Sequence, residues 1–168
     1  MPRLIRNRAL ADDRYTLVRD AATLADLPDG VPIIVPLALW LERRGALIAR
    51  GDIGVWLGPA DQPGTLADDV ERLQVIAIDF PQFTDGRGYS HARLLRERYG
   101  FKGEIRATGA VLRDQLLFMQ RCGFDAFEIV NPDAVGAWRA ALAEIRVFFQ
   151  PTGDGRATAP LLRRAAGR

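Results

Sequence analysis

VIAIDF at residues 75–80, EIRATG at 104–109 and AFEIV at 126–130 are the runs whose reading decides the fold. Side chains alternate along a strand. Val75, Ala77 and Asp79 therefore share one face of the first run and Ile76, Ile78 and Phe80 the other. In the second run Glu104, Arg106 and Thr108 oppose Ile105 and Ala107. In the third, Ala126, Glu128 and Val130 oppose Phe127 and Ile129. A sheet with helices over both surfaces requires apolar residues on both. Here one face is apolar and its opposite carries Asp79, Arg106 and Glu128. The pattern predicts helices on one side only and a polar interior or cleft on the other.

Outward from this region the chain reads as repeated strand–helix units. VPIIVPL at 31–37 is a strand that Pro32 and Pro36 assign to a sheet edge or a strand terminus. A helix over 39–50 follows, stopped by Gly51, and IGVWLG at 53–58 is the next strand. Thr65 and Asp68 have capping-box-like spacing, which predicts a short helix to Leu73. The loop PQFTDGRG at 81–88 leads to a helix over 90–99. The next helix, 110–121, places Leu112, Leu116 and Met119 on one face and stops at Gly123. Asn131-Pro132-Asp133 signals a last helix start. Its stripe of Val135, Trp138, Leu142, Ile145 and Phe149 is core or interface. At the other end, 4–18 reads as two short strands around Ala11-Asp12-Asp13, a hairpin on the domain edge, and 21–27 as a short helix. The division expected is one α/β domain over 1–150, its first 20 residues forming the edge segment, and a flexible basic tail over 151–168.

Successive strand–helix units imply a parallel sheet with right-handed crossovers. One-sided polarity favours a barrel-like closure, but an eight-fold barrel needs roughly 200 residues or more and this chain has 168. The expected fold is a partial or reduced TIM-barrel-like α/β sheet, with an open flavodoxin-like sheet as the alternative. Exposed sheet edges need covering, by the N-terminal segment or by a second copy in a homodimer.

Formal net charge is only +2, with a single lysine, Lys102, among 23 basic residues. No basic run is interleaved with aromatics, so nucleic-acid binding is not expected. The single cysteine, Cys122, cannot form an internal disulfide or a cysteine-rich metal site, and fits a reducing cytoplasm. The first residues lack the apolar core of a signal peptide, and no apolar run approaches the roughly 20 residues that span a bilayer. No metal site is expected. His91, the one histidine, reads as a surface residue in a helix first turn, and Cys122 as a buried structural thiol.

In parallel α/β folds ligands sit at the carboxyl ends of strands. Asp79, Arg106 and Glu128 are the leading candidates. Arg106 between two carboxylates is either an anion clamp flanked by the proton carriers Asp79 and Glu128, or a structural ion cluster. Thr84, Asp85 and Arg87, in TDGRGYS before a helix start, offer a second anion-binding reading, as does Thr108 after its strand. The alternative is an ordinary turn at Asp85-Gly86 with Ser90 as cap.

The run IDFPQFTDGRGYSHARLLRERYGFKGEIRATGAVLRDQLLFMQRCGFDAFEI at 78–129 resembles the signature of a bacterial family of unknown function, labelled as oxidoreductases of sulfite reduction. The resemblance implies a role in assimilatory sulfate or sulfite reduction and assigns no catalytic residue and no cofactor. Sulfite reduction itself needs electrons delivered through a metal or flavin group. The chain carries no iron–sulfur cysteine set, no c-type haem motif and no dinucleotide fingerprint. What the resemblance implies is therefore an accessory protein that binds a small oxyanion or assists the sulfite reductase haemoprotein. The alternatives are an enzyme on a small anionic substrate and a non-enzymatic dimeric scaffold.

Overall fold

A computed structural model describes residues 3–6, 9–130, 133–145 and 147–166. Its strands are β1 (Arg3–Arg6), β2 (Ala9–Ala11), β3 (Thr16–Leu17), β4 (Ile33–Pro36), β5 (Ile53–Leu57), β6 (Val75–Phe80), β7 (Glu104–Gly109) and β8 (Ala126–Ile129). They form one eight-stranded sheet in the order β2-β1-β8-β7-β6-β5-β4-β3, curled into a half-barrel. From β3 to β8 every neighbouring pair is parallel and follows chain order. The sheet as a whole is mixed, which corrects the expectation of a parallel one. β1 pairs antiparallel with both β8 and β2, a ribbon that needs no crossover helix to join its strands.

The degree of curl follows from chain length. Ala11 ends β2 on one edge and Thr16 begins β3 on the opposite edge. Five Cα steps reach at most about 19 Å. Eight flat strands at about 4.8 Å spacing would hold those edges roughly 34 Å apart. Only a strongly curled sheet lets residues 12–15 bridge them, and those residues run as a strap across the concave side. Ala11-Asp12-Asp13 is thus the start of the strap rather than a hairpin turn. The hairpin is β1–β2, with Ile5 opposite Leu10, and its connection lies outside the described residues.

The helices are α1 (Leu37–Arg50), α2 (Arg87–Glu97), α3 (Leu116–Cys122), α4 (Ala134–Glu144) and α5 (Ala159–Ala166). The main core joins the odd face of β4 and β5 (Ile33, Val35, Ile53, Val55, Leu57) to Ile76, Ile78, Phe80, Ile105, Ala107, Phe127 and Ile129. It packs these against Trp40, Leu47, Ala92, Leu95, Met119 and Trp138 of α1 to α4. This is the apolar face read from alternation, with helices over it. The opposite, concave face has a small apolar cluster of Tyr15, Ile34, Val75 and Ala77 at the β4–β6 side and charged residues at the β7–β8 side.

Local expectations fail where a side chain found a better partner. Thr65 donates to the Gln62 carbonyl at 2.8 Å, and a 3-10 turn over Pro63–Leu66 replaces the helix expected to Leu73. Asp69 turns inward there. Its buried carboxylate accepts from Trp40 Nε1 at 3.0 Å and pairs with Arg44 and Arg72. β4 is an interior strand, and Pro36 is tolerated as its last residue. The helix after Gly109 begins as a 3-10 turn over Arg113–Gln115 before α3. In the 131–133 helix start, Asn131 and Pro132 lie outside the described residues. The Asp133 side chain accepts from the Gly136 N–H at 3.1 Å. α4 ends at Glu144, so Ile145 and Phe149 of the expected stripe are exposed while Trp138 is core. The segment beyond 150, expected to be a flexible tail, carries α5. It is tied back by Arg121 Nε donating to Asp154 at 3.1 Å and by a bridge of Phe148 to Thr158. Among the described residues no helix is long and apolar enough to cross a membrane.

Candidate functional site

β6, β7 and β8 are adjacent, with Ala77 beside Arg106 and Arg106 beside Ala126. The side chains of Ala77 and Asp79, Arg106 and Thr108, and Ala126 and Glu128 therefore line the concave wall in two levels. The lower level centres on Arg106, which is 1% exposed. Its Nε donates to Glu104 at 2.8 Å and its Nη1 to Asp13 at 2.7 Å, and Nη1 lies 3.7 Å from Glu128. Glu104 stands two residues earlier on the same strand face and also accepts from Arg6 at 3.1 Å. Asp13 arrives from the strap, where its other oxygen accepts from the Tyr15 N–H at 3.0 Å. Burial works against the Arg106 charge, but Glu104 and Asp13 outweigh it and hold its pKa above the ordinary value. Arg106 does sit among carboxylates. They are Glu104, Asp13 and Glu128, with Asp79 making no ion pair to it.

The upper level lies at the carboxyl ends of the strands. Thr108 Oγ1 donates to Asp79 Oδ1 at 3.2 Å, as expected for residues in register. Arg19, just past β3, brings Nη2 to 3.6 Å from the same oxygen, an ion pair without a hydrogen bond. Its guanidinium lies over the Trp56 ring, 5.6 Å from the centroid, and its side chain is 43% exposed. Trp56 of β5 stands beside Ala77, and its Nε1 is buried without a hydrogen-bond partner among the described residues. Glu128 completes this level. Burial raises its carboxyl pKa above the ordinary value, and the nearby Asp13 carboxylate adds to that, against the pull of Arg106 and Arg19.

The loop before α2 is separate. Asp85 accepts from the Arg87 N–H at 3.1 Å and from its guanidinium at 3.0 and 2.7 Å. Those bonds pull the Asp85 carboxyl down to about 2. A protein carboxylate thus already fills the helix start where an external anion was expected. Thr84 is exposed in the turn, and Arg87 makes its ion pair with Asp85 rather than joining Arg106. His91 is buried rather than on the surface, and burial, reinforced by the Arg87 charge, lowers its pKa. Cys122 is half-buried beside Arg121 and Lys102 in an outer cleft of about 380 Å³, and burial raises its pKa. Among the described residues no cluster of three or more His, Cys, Asp or Glu is arranged to hold a metal.

Four residues of this wall escaped the sequence reading of the site. Glu104 and Trp56 had a signal, since alternation alone sends both to the face of Arg106 and Ala77. Asp13 and Arg19 had none, because neither belongs to a periodic segment and each meets its partner only through the curl.

A family model of bacterial proteins of unknown function, DUF934, matches residues 54–160, and the chain belongs to that family. No curated protein and no solved structure matches it. The matched stretch holds Trp56, Asp79, Glu104, Arg106, Thr108 and Glu128, whereas Asp13 and Arg19 precede it.

Proposed function

We propose that this protein is an accessory factor of assimilatory sulfite reduction that binds a small sulfur oxyanion at the mouth of its half-barrel. The observation that carries the reading is the pair Arg19–Trp56. Among the described residues, a half-exposed guanidinium without a hydrogen bond lies over an indole whose buried N–H also lacks a partner. An oxyanion supplies the acceptors that the accessible Arg19 guanidinium lacks, beside the Trp56 ring. Charge-assisted bonds from arginine are the strong class for such ligands. Asp79, held by Thr108, orients Arg19 at a distance that leaves its N–H groups free to point at the ligand. The position agrees with the general rule that parallel α/β sheets bind at strand carboxyl ends, and in this reading the half-barrel is a reduced TIM-type barrel. The sulfur chemistry comes from the signature resemblance of residues 78–129, which also implies the partner, the sulfite reductase haemoprotein; the cytoplasmic setting rests on the single cysteine.

Calorimetric titration with sodium sulfite and sodium sulfate tests it. Binding is expected in the native protein and a loss of at least about tenfold in Arg19→Gln, the worth of one charge-assisted hydrogen bond of roughly 1.5–3 kcal/mol. No heat in the native protein, or equal affinity in the variant, would overturn the reading.

A second reading is favoured by one observation, the raised carboxyl pKa of the half-buried Glu128. A carboxyl that holds its proton to higher pH beside Arg19 is suited to general acid–base work on a small anionic substrate. Turnover that fails in Glu128→Gln while oxyanion binding persists would favour this enzyme over the accessory factor.

A further inference from the structure

We propose that Arg106 is a second, latent oxyanion site whose resting occupant is the Asp13 carboxylate, and that the strap of residues 12–15 swings out when an external anion replaces it. The inference goes beyond the mouth reading. It concerns a different cation, one level deeper in the concave wall.

The strap is attached as a removable element would be. Among the described residues, 12–15 make no backbone–backbone hydrogen bond, whereas Thr16 N–H immediately after them bonds to the Pro32 carbonyl at 2.9 Å. Three side-chain contacts hold it: Asp13 on Arg106 at 2.7 Å, Arg14 beside Asp52 at 3.9 Å, and Tyr15 in the small concave cluster. Arg14 and Asp52 are both more than half exposed, and such surface pairs contribute little. Asp13 itself is 35% exposed although its partner is 1% exposed, so the carboxylate reaches in from solvent to a buried charge.

Charge bookkeeping also fits exchange. Glu104 is shared between Arg106 and Arg6. Withdrawing Asp13 removes one negative charge from Arg106 Nη1, and a monoanionic oxyanion returns one. Opening leaves Arg106 with Glu104 and the more distant Glu128 but takes the hydrogen bond from Nη1, which an incoming oxyanion restores, so the swap is favoured over simple opening. A tethered competitor acts at an effective concentration on the order of millimolar, which keeps the site closed to dilute anions and open to concentrated ones.

The test uses the full chain, sodium sulfite as probe and two measurements. In an Arg19→Gln background, which removes the mouth cation, Asp13→Asn is expected to gain sulfite affinity at least about tenfold, and the Arg106 Nε–H resonance to shift on titration. In the native protein, saturating sulfite is expected to speed amide hydrogen exchange severalfold at Tyr15, the strap residue whose N–H is bonded to the Asp13 carboxylate, while β6 and β7 stay protected. Unchanged exchange in the strap overturns the proposal even where the Asp13→Asn chain folds poorly. No gain of affinity in a folded Asp13→Asn, Arg19→Gln protein overturns it while leaving the mouth reading intact. A gain there, with Arg19→Gln alone binding sulfite as tightly as the native protein, sustains it and removes the mouth reading instead.

Discussion

Without the Arg106 guanidinium, Glu104 and Asp13 would face each other across the concave wall with no shared cation. Removing one member of a buried ion cluster costs about 3–5 kcal/mol. Arg106→Met is therefore expected to lower the urea unfolding free energy by that order, and a loss below about 1 kcal/mol would contradict the wiring described. Glu128 carries the opposite electrostatic tendency. Its folded-state pKa is raised by burial first and by Asp13 second. A carboxyl raised on folding contributes stability that is complete below its unfolded value of about 4.3 and is lost as pH rises through the folded value. Glu128→Gln should consequently gain on the native protein in unfolding free energy between pH 4 and pH 7, and a difference moving the other way would refute the assignment. At this scale the sequence was legible where alternation operates. Asp79, Arg106 and Glu128 do line one wall, and Glu104 was already on the face of Arg106. The pairing was not legible. Asp13 lies 93 positions from Arg106, and no local pattern announces a contact made by an irregular segment.

The strands emerged from the sequence more clearly than the helix starts, for a physical reason. β6, β7 and β8 are specified by alternation over several residues, and slipping one by a single position would bury Asp79, Arg106 or Glu128 under the helices. A helix start depends on one or two side chains that have competing partners. Thr65 spends its hydroxyl on Gln62, Asp69 its carboxylate on Trp40, and Asp85 takes the start of α2. The exit from β7 shows how an element end governs the site. Gly109 has φ +88°, and a Cβ there would lie 2.5 Å from the Phe80 carbonyl oxygen and 3.0 Å from Asp79 Oδ1. Gly109→Ala should cost on the order of 2–4 kcal/mol from the left-handed backbone and the overlap, and should weaken sulfite binding by moving Asp79. Native-like melting in that variant would show that the β6–β7 exit is not built this tightly.

At the scale of the whole molecule the decisive feature is the curl that brings β2 and β3 within reach of one strap. The N-terminal segment covers part of the concave side, with Asp13 on Arg106 and Tyr15 in the small apolar cluster. The antiparallel β1–β2 ribbon covers the β8 edge and so corrects the expected parallel sheet, while the apolar convex face stays as alternation required. The curl also draws Arg19 over Trp56 and leaves that one cation half-open at the carboxyl ends of the strands, where the account places its ligand. Nitrogen-15 spectra of the three tryptophan indoles, with the Trp56 signal assigned through Trp56→Phe, test this most directly. On titration with sodium sulfite the Trp56 indole resonance should move saturably while those of Trp40 and Trp138 stay, and the movement should vanish in Arg19→Gln. A Trp56 signal indifferent to sulfite, or one that shifts equally without Arg19, would contradict the account.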